Sequence, residues 1–252
     1  MKTALVLLVI FITCVSAFSV EVEDPPFEAT LGASYNGTGG NTSTHSLGVD
    51  GSALRRFTRV HVDWGGNYLT ARSDGDTAAE SMGAFGGVKV FVMGSRLYAL
   101  YRGVWERNTF AGLEHRISNL GGLGAVVAKS AGLTLNAETG VNYIYEKYPI
   151  PTGEVPDGST LPTSETFPSF HAGAEYVINL HELAEVTAYF GYDMSMKNAE
   201  DQLLSAGGGV SVFVADWLAV GASEAVAWDN TPQPGYEKYD LTSKLVVTLR
   251  YQ

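Results

Sequence analysis

With Asp+Glu 27 against Lys+Arg 16, the 252-residue chain carries a formal net charge of −11, and an acidic balance of that size excludes nucleic acid as a partner. Its 29 glycines and 13 tyrosines point to β structure, and the length suits one large β domain or two ordinary domains. One cysteine in the whole chain excludes a disulfide framework.

The chain opens on MKTALVLLVIFITCVSAFSV. Lys2, an apolar run to Val15 and the small residues Val15-Ser16-Ala17 form the pattern of a secretory signal cleaved after Ala17, so residues 1–17 are expected to leave the mature protein. The run is too short for the roughly 20 apolar residues of a spanning helix. Cleavage takes Cys14 with it, and 18–252 is read as a single cysteine-free domain.

From there to the end, two-residue alternation between turn residues predicts about twelve strands. They fall at 27–36, 43–54, 57–71, 82–93, 96–107, 112–127, 132–146, 168–179, 184–194, 202–214, 218–228 and 239–251. In the third, Val60, Val62, Trp64 and Tyr68 alternate with Arg59, His61, Asp63 and Asn67. In the fifth, Leu97, Ala99, Tyr101 and Trp105 alternate with a face carrying Arg102 and Glu106. The seventh puts Leu135, Ala137, Thr139, Val141, Tyr143 and Tyr145 on one row, opposite Asn136, Glu138, Gly140, Asn142, Ile144 and Glu146. The last strand alternates up to the final residues, with Leu241, Ser243, Leu245, Val247, Leu249 and Tyr251 on one face. A terminus held this tightly needs partners on both edges, which a closed barrel supplies.

Alternation alone does not say which face is inside. A soluble barrel turns the apolar row inward, and an outer-membrane barrel turns it to lipid. The connections decide. Long or turn-rich ones (NGTGGNTST, ARSDGDTAAES, YPIPTGEVPDGSTLPTSETF, MKNAED, DNTPQPGYEK) alternate with short ones, apart from a short link between Arg107 and Gly112. Short periplasmic turns, longer external loops and an even strand count are the rule of outer-membrane barrels. Trp64, Tyr68, Trp105, Tyr143, Tyr145, Tyr148, Trp217, Trp228 and Tyr251 fall near predicted strand ends, where interfacial girdles belong. The fold expected is therefore an all-β, transmembrane, antiparallel up-and-down β-barrel in the bacterial outer membrane. Leu245, Val247, Leu249 and Tyr251 are its expected assembly signal, with outer-membrane lipid and the outer-membrane assembly machinery as partners.

Two stretches, GLEHRISNLGGLGAVVAKSAGLTLNAETGVNYIYE (112–146) and NTPQPGYEKYDLTSKLVVTLRY (230–251), resemble the uncharacterised family whose members are called salt-induced outer membrane proteins. The likeness is carried by Gly112, Leu113 and Arg116, by Gly121–Gly124, by the acidic strand Leu133–Gly140, and by Asn230, Pro232 and Asp240 ahead of the terminal strand. The resemblance implies an outer-membrane β-barrel and brings no established activity.

Motifs for chemistry are sparse. Ser43, His45 and Ser46 contain the residue types of a hydrolase, but adjacent residues of a strand point to opposite faces. His61 and Asp63 share a face, where an Arg59–Asp63 ion pair beside a hydrogen-bonded His61 is the reading expected. His45, His61, His115, His171 and His181 show no zinc spacing, and Asp74-Gly75-Asp76 lacks an EF-hand pattern. No catalytic, cofactor or metal site is expected. On the polar faces, Asp63, Glu106, Glu114, Glu138, Glu146, Glu175, Glu185 and Asp193 are expected in the lumen with Arg59, Arg102, Arg116, Lys244 and Arg250. Carboxylates outnumber bases, which favours a narrow, weakly cation-preferring channel or an envelope structural protein. A barrel-borne hydrolase and a soluble ligand-binding barrel are the alternatives.

Overall fold

A computed structural model describes residues 25–38, 44–73, 76–92, 96–130, 132–149, 163–180, 183–232 and 237–251. The expected signal segment 1–17, Ser43, Asp74, Gly75, His181, the side chains of His45 and Asp76, and most of the 149–167 connection lie outside the described residues. The strands are β1 (Phe27–Thr38), β2 (Thr44–Arg56), β3 (Val60–Ser73), β4 (Asp76–Phe91), β5 (Leu97–Asn108), β6 (Leu113–Ser130), β7 (Leu133–Lys147), β8 (Ser164–Leu180), β9 (Ala184–Ser195), β10 (Gln202–Ala215), β11 (Leu218–Asp229) and β12 (Tyr239–Tyr251). Each pairs antiparallel with its sequence neighbours, and β12 pairs with β1 to close the barrel. The register of closure is Ala29↔Tyr251, Leu31↔Leu249 and Ala33↔Val247, so β12 has its backbone groups satisfied on both sides, by β11 and by β1.

Some strands outrun the apolar alternation. β3 and β4 pair out to Ser73↔Asp76, so most of the expected ARSDGDTAAES connection is strand; β7 and β8 likewise pair out to Lys147↔Ser164. Beyond the apolar band either face can be polar, and the backbone's demand for hydrogen-bond partners keeps the ladder going. The short link between β5 and β6 is a single 3-10 turn, Thr109–Ala111. Asn108 caps it by accepting from the Phe110 N–H at 3.1 Å, and Gly112 ends it at φ 65°, a left-handed conformation that favours glycine.

The outer face is apolar. On β12, Tyr239, Leu241, Leu245, Val247, Leu249 and Tyr251 are exposed, while Asp240, Thr242, Lys244 and Arg250 alternate with them on the inner side. The same alternation runs around the sheet through Leu31, Leu47, Val49, Val141, Val210 and Val212. At the end where the chain enters and leaves the barrel, Phe27 touches Trp64 (ring centroids 6.5 Å) and Tyr251 (6.0 Å), and Trp217 stands exposed in the β10–β11 turn. Trp228 and Tyr239 pair across β11–β12 at the opposite end. Tyr148 departs from the expected girdle: its hydroxyl donates to the buried Glu146, so it belongs to the mouth of the barrel.

Inside, one wall is packed. Tyr98, Leu100 and Leu120 form a buried cluster with Phe91 and Val126, and Ile144 and Phe167 continue the filling along β7 and β8. The Tyr98 ring lies across Gly124, where a Cβ would come within 2.3 Å of it. That close approach is why a glycine stands there.

Candidate functional site: the lumen wall

The inward rows of β3 to β9 carry several groups of paired charges. Lys89 on β4 reaches Glu138 on β7 at 2.6 Å, and the same Glu138 Oε1 accepts from the Tyr98 hydroxyl at 2.9 Å. Arg116 on β6 donates to Glu106 at 2.9 Å and to Glu146 at 2.5 Å. Arg102 stands 3.8 Å from Asp63 with its guanidinium over the Phe85 ring. Nearer the chain termini, Arg56 donates to Glu28 and to the Pro25 carbonyl, and Arg250 stacks on Phe213 with its guanidinium 4.1 Å from the ring centroid. Charge-assisted bonds of this kind offset the cost of taking ions out of bulk water.

A second node lies between β7, β8 and β9. Asp193 accepts from Asn142 Nδ2 at 3.0 Å and from Ser169 Oγ at 2.9 Å, while its other oxygen bonds His171 Nδ1 at 3.0 Å. Ser169 is fully buried, and its hydroxyl has two acceptors, Asp193 and the Asn142 carbonyl at 3.2 Å, so Ser169 and His171 both bond to one carboxylate. His61 packs against the Phe91 ring at 4.6 Å, and Asp63 is engaged by Arg102.

Among the residues expected in the lumen, Arg102, Glu106, Arg116, Glu138, Glu175 and Asp193 line one cavity of about 720 Å3. Asp63 and Glu146 pair with Arg102 and Arg116 at its wall. Glu185 on β9 and Arg250 on β12 lie nearer the turn end, where the charge of Arg250 acts on the Glu185 carboxyl. Two expectations are corrected. Arg59 sits exposed in the β2–β3 turn, because β3 begins at Val60. Glu114 lies at the rim, bonded to Lys147 at 2.9 Å, where β6 begins and the strand no longer faces an enclosed lumen. Lys89, Glu28, Arg56 and the His171 node were not expected. Lys89 was hidden in the apolar run Val88–Val92, although its two-residue spacing from Gly87 and Phe91 marks its face; His171 shares the parity of Glu175.

At the mouth, burial lifts the Asp201 carboxyl above its usual range; the Thr231 hydroxyl, donating at 2.9 Å, pulls the other way, while Glu146 adds to the rise. Burial, and then the neighbouring Glu146 charge, push the Tyr148 phenol far up.

The opposite wall differs. β10, QLLSAGGGVSVFVA, has no ionisable residue, and the inward row of β11 is small apart from Asp229 at its end. No group of three or more metal-ligating side chains occurs among the described residues.

Residues 31–252 match a family described as "Protein of unknown function, DUF481". No curated protein matches the chain. Among solved structures, the chain resembles the translocator domain of the autotransporter NalP from Neisseria meningitidis at 17% identity, covering 92% of this chain and 90% of that one, with TM-score 0.47. An outer membrane channel from Pseudomonas putida F1 is 8% identical, with coverage of 94% and 98% and TM-score 0.47. The NanC porin is 6% identical, with coverage of 88% and 97% and TM-score 0.46.

Proposed function

The chain belongs to this family, DUF481, and we propose that it is an outer-membrane β-barrel that acts as a narrow, weakly cation-preferring channel. The apolar outer face supports the membrane: a closed barrel leaves no unpaired backbone for lipid to meet, and its exposed Leu, Val and aromatic side chains are what a bilayer solvates. The observation that carries the channel reading is the imbalance of charge at the cavity. Lys89, Arg102 and Arg116 each stand within ion-pair distance of a carboxylate, whereas Glu175, Asp229, Glu237 and Asp240 line the same cavity with no ion pair among the described residues, against a single base in that state, Lys238. Uncompensated carboxylates attract small cations and repel anions.

The reading assigns no catalytic role; turnover of lipid or peptide substrates by the purified barrel would overturn that part. The likeness of 112–146 and 230–251 to salt-induced outer membrane proteins supports an envelope location and leaves the physiological trigger to expression measurements. Purified protein in a planar bilayer under a KCl gradient tests the channel directly. A reversal potential of cation-selective sign is expected, and E175Q with D240N should reduce it. A silent bilayer would favour the structural role, for which the filled β4–β8 wall is the supporting observation.

A further inference from the structure

Below the main cavity, and sharing Asn67, Ser81 and Tyr189 with it, lies a recess of about 300 Å3. Its lining comes from both sides of the barrel: Asn67, Leu69 and Ser81 on β3 and β4 face Thr187, Tyr189, Ser223, Thr242 and Lys244 on β9, β11 and β12. The register makes this far side a small lattice. Tyr189, Gly207, Ala225 and Thr242 form one row, and Thr187, Gly209, Ser223 and Lys244 form the next. The Tyr189 ring lies across Gly207, within 2.7 Å of where a Cβ would stand, and remains half exposed to the recess.

One cation faces this space. Lys244 has no ion pair among the described residues, and the only carboxylate residue at the recess, Glu224, is turned away: it pairs with Ser243 on the outward row and accepts from the Ser243 hydroxyl at 3.1 Å. Every other polar side chain of the recess is a hydroxyl or an amide. An ammonium among hydroxyls, without a protein counter-ion, is satisfied best by an anionic group brought by a solute. The aromatic face beside it offers an apolar platform to the C–H face of a ring, and the hydroxyls offer hydrogen bonds to a ring's substituents.

We infer that this recess is a solute site for a monocarboxylated, hydroxyl-rich ring of the sugar-acid class, with Lys244 holding the carboxylate and Tyr189 under the ring. The inference rests on the channel reading and names its solute class. The wall carboxylates set the bulk preference for small cations, while Lys244 acts at contact distance on one anionic group.

The test is calorimetric titration of the detergent-purified full barrel with D-glucuronate, with D-glucose and acetate as probes that keep only the ring or only the charge. Glucuronate is expected to bind more tightly than either. K244Q should weaken it tenfold or more, K244R should retain it, and Y189A should weaken glucuronate without creating acetate binding. Each variant is first checked for the boiling-dependent gel shift of a closed barrel. Glucose binding equal to glucuronate, or glucuronate binding unchanged in K244Q, overturns the site. Bilayer recording separates this from the channel reading. Binding without conductance leaves the site and removes the channel; conductance that glucuronate fails to block, with no calorimetric binding, removes the site and leaves the channel.

Discussion

Gly124 shows how a single residue shapes the inside of this barrel. Its missing Cβ lets the Tyr98 ring lie flat on β6, and the ring's hydroxyl then reaches Glu138, which also holds Lys89. G124A forces the ring off this position, and overpacking of that kind costs about 1–3 kcal/mol. A lowered midpoint in urea titration of the refolded barrel is expected; an unchanged midpoint would mean that the ring yields without loss. E138Q acts on the same node from the other side, leaving Lys89, whose side chain is 22% exposed, without its counter-charge. A loss of about 1–3 kcal/mol is expected in the same titration, the range for removing a charged hydrogen-bond partner. The double variant E138Q with K89M should recover part of it, since removing both partners spares the uncompensated charge.

At the scale of the element, each strand keeps lipid and water apart by parity alone. Val247 on β12 points outward between Ala33 and Val220, and Ser205 on β10 points inward to the cavity. V247R should therefore lower the yield of folded barrel in vesicles, at a cost of roughly 2–4 kcal/mol near the bilayer midplane. S205R should insert normally and alter conductance. Equal behaviour of the two variants would show that the faces are assigned wrongly. The turn between β9 and β10 carries a pH signature. Burial raises the folded-state pKa of Asp201, so its contribution is complete below the unfolded value of about 3.9 and is lost as pH rises through the folded value. D201N keeps an acceptor for Thr231 and removes that loss, so its melting temperature should exceed that of the parent at pH 7 and match it near pH 3. A deficit at both pH values would assign Asp201 a purely structural bond.

For the whole molecule, the apolar exterior and closed hydrogen-bonding predict one gross behaviour. Expressed in a Gram-negative host, the protein should fractionate with the outer membrane and migrate differently before and after boiling. Recovery in the soluble fraction would invert both faces of every strand and remove the channel reading with them. The interior divides into a packed wall and an open one: β4 to β8 carry the buried cluster and the Lys89–Glu138 and Arg116–Glu106/Glu146 ion pairs, and β9 to β12 carry glycine, serine and threonine beside Lys244. On the channel reading permeation belongs to the open side, and substitutions there should change current most.

What the sequence determined by itself is local. Two-residue alternation identified the strands and their faces, and the terminal LTSKLVVTLRYQ called for partners on both edges. The inward positions of Asp63, Arg102, Glu138 and Asp193 follow from parity in the same way, because a side chain's face depends only on its count along the strand. Where polar residues continue the ladder, as at Ser73 and Asp76, parity carries no apolar signal and the strand read as loop. The tertiary structure alone decided which inward charges meet. Lys89 and Glu138 stand on strands three apart, and Asn142 and Asp193 are 51 residues apart in sequence. Their meeting depends on the curvature of the closed sheet and on the glycines that let side chains lie across it, neither of which any single strand encodes. The same curvature brings Asn67 and Ser81 opposite Lys244, and so makes a recess of residues that no local pattern connects.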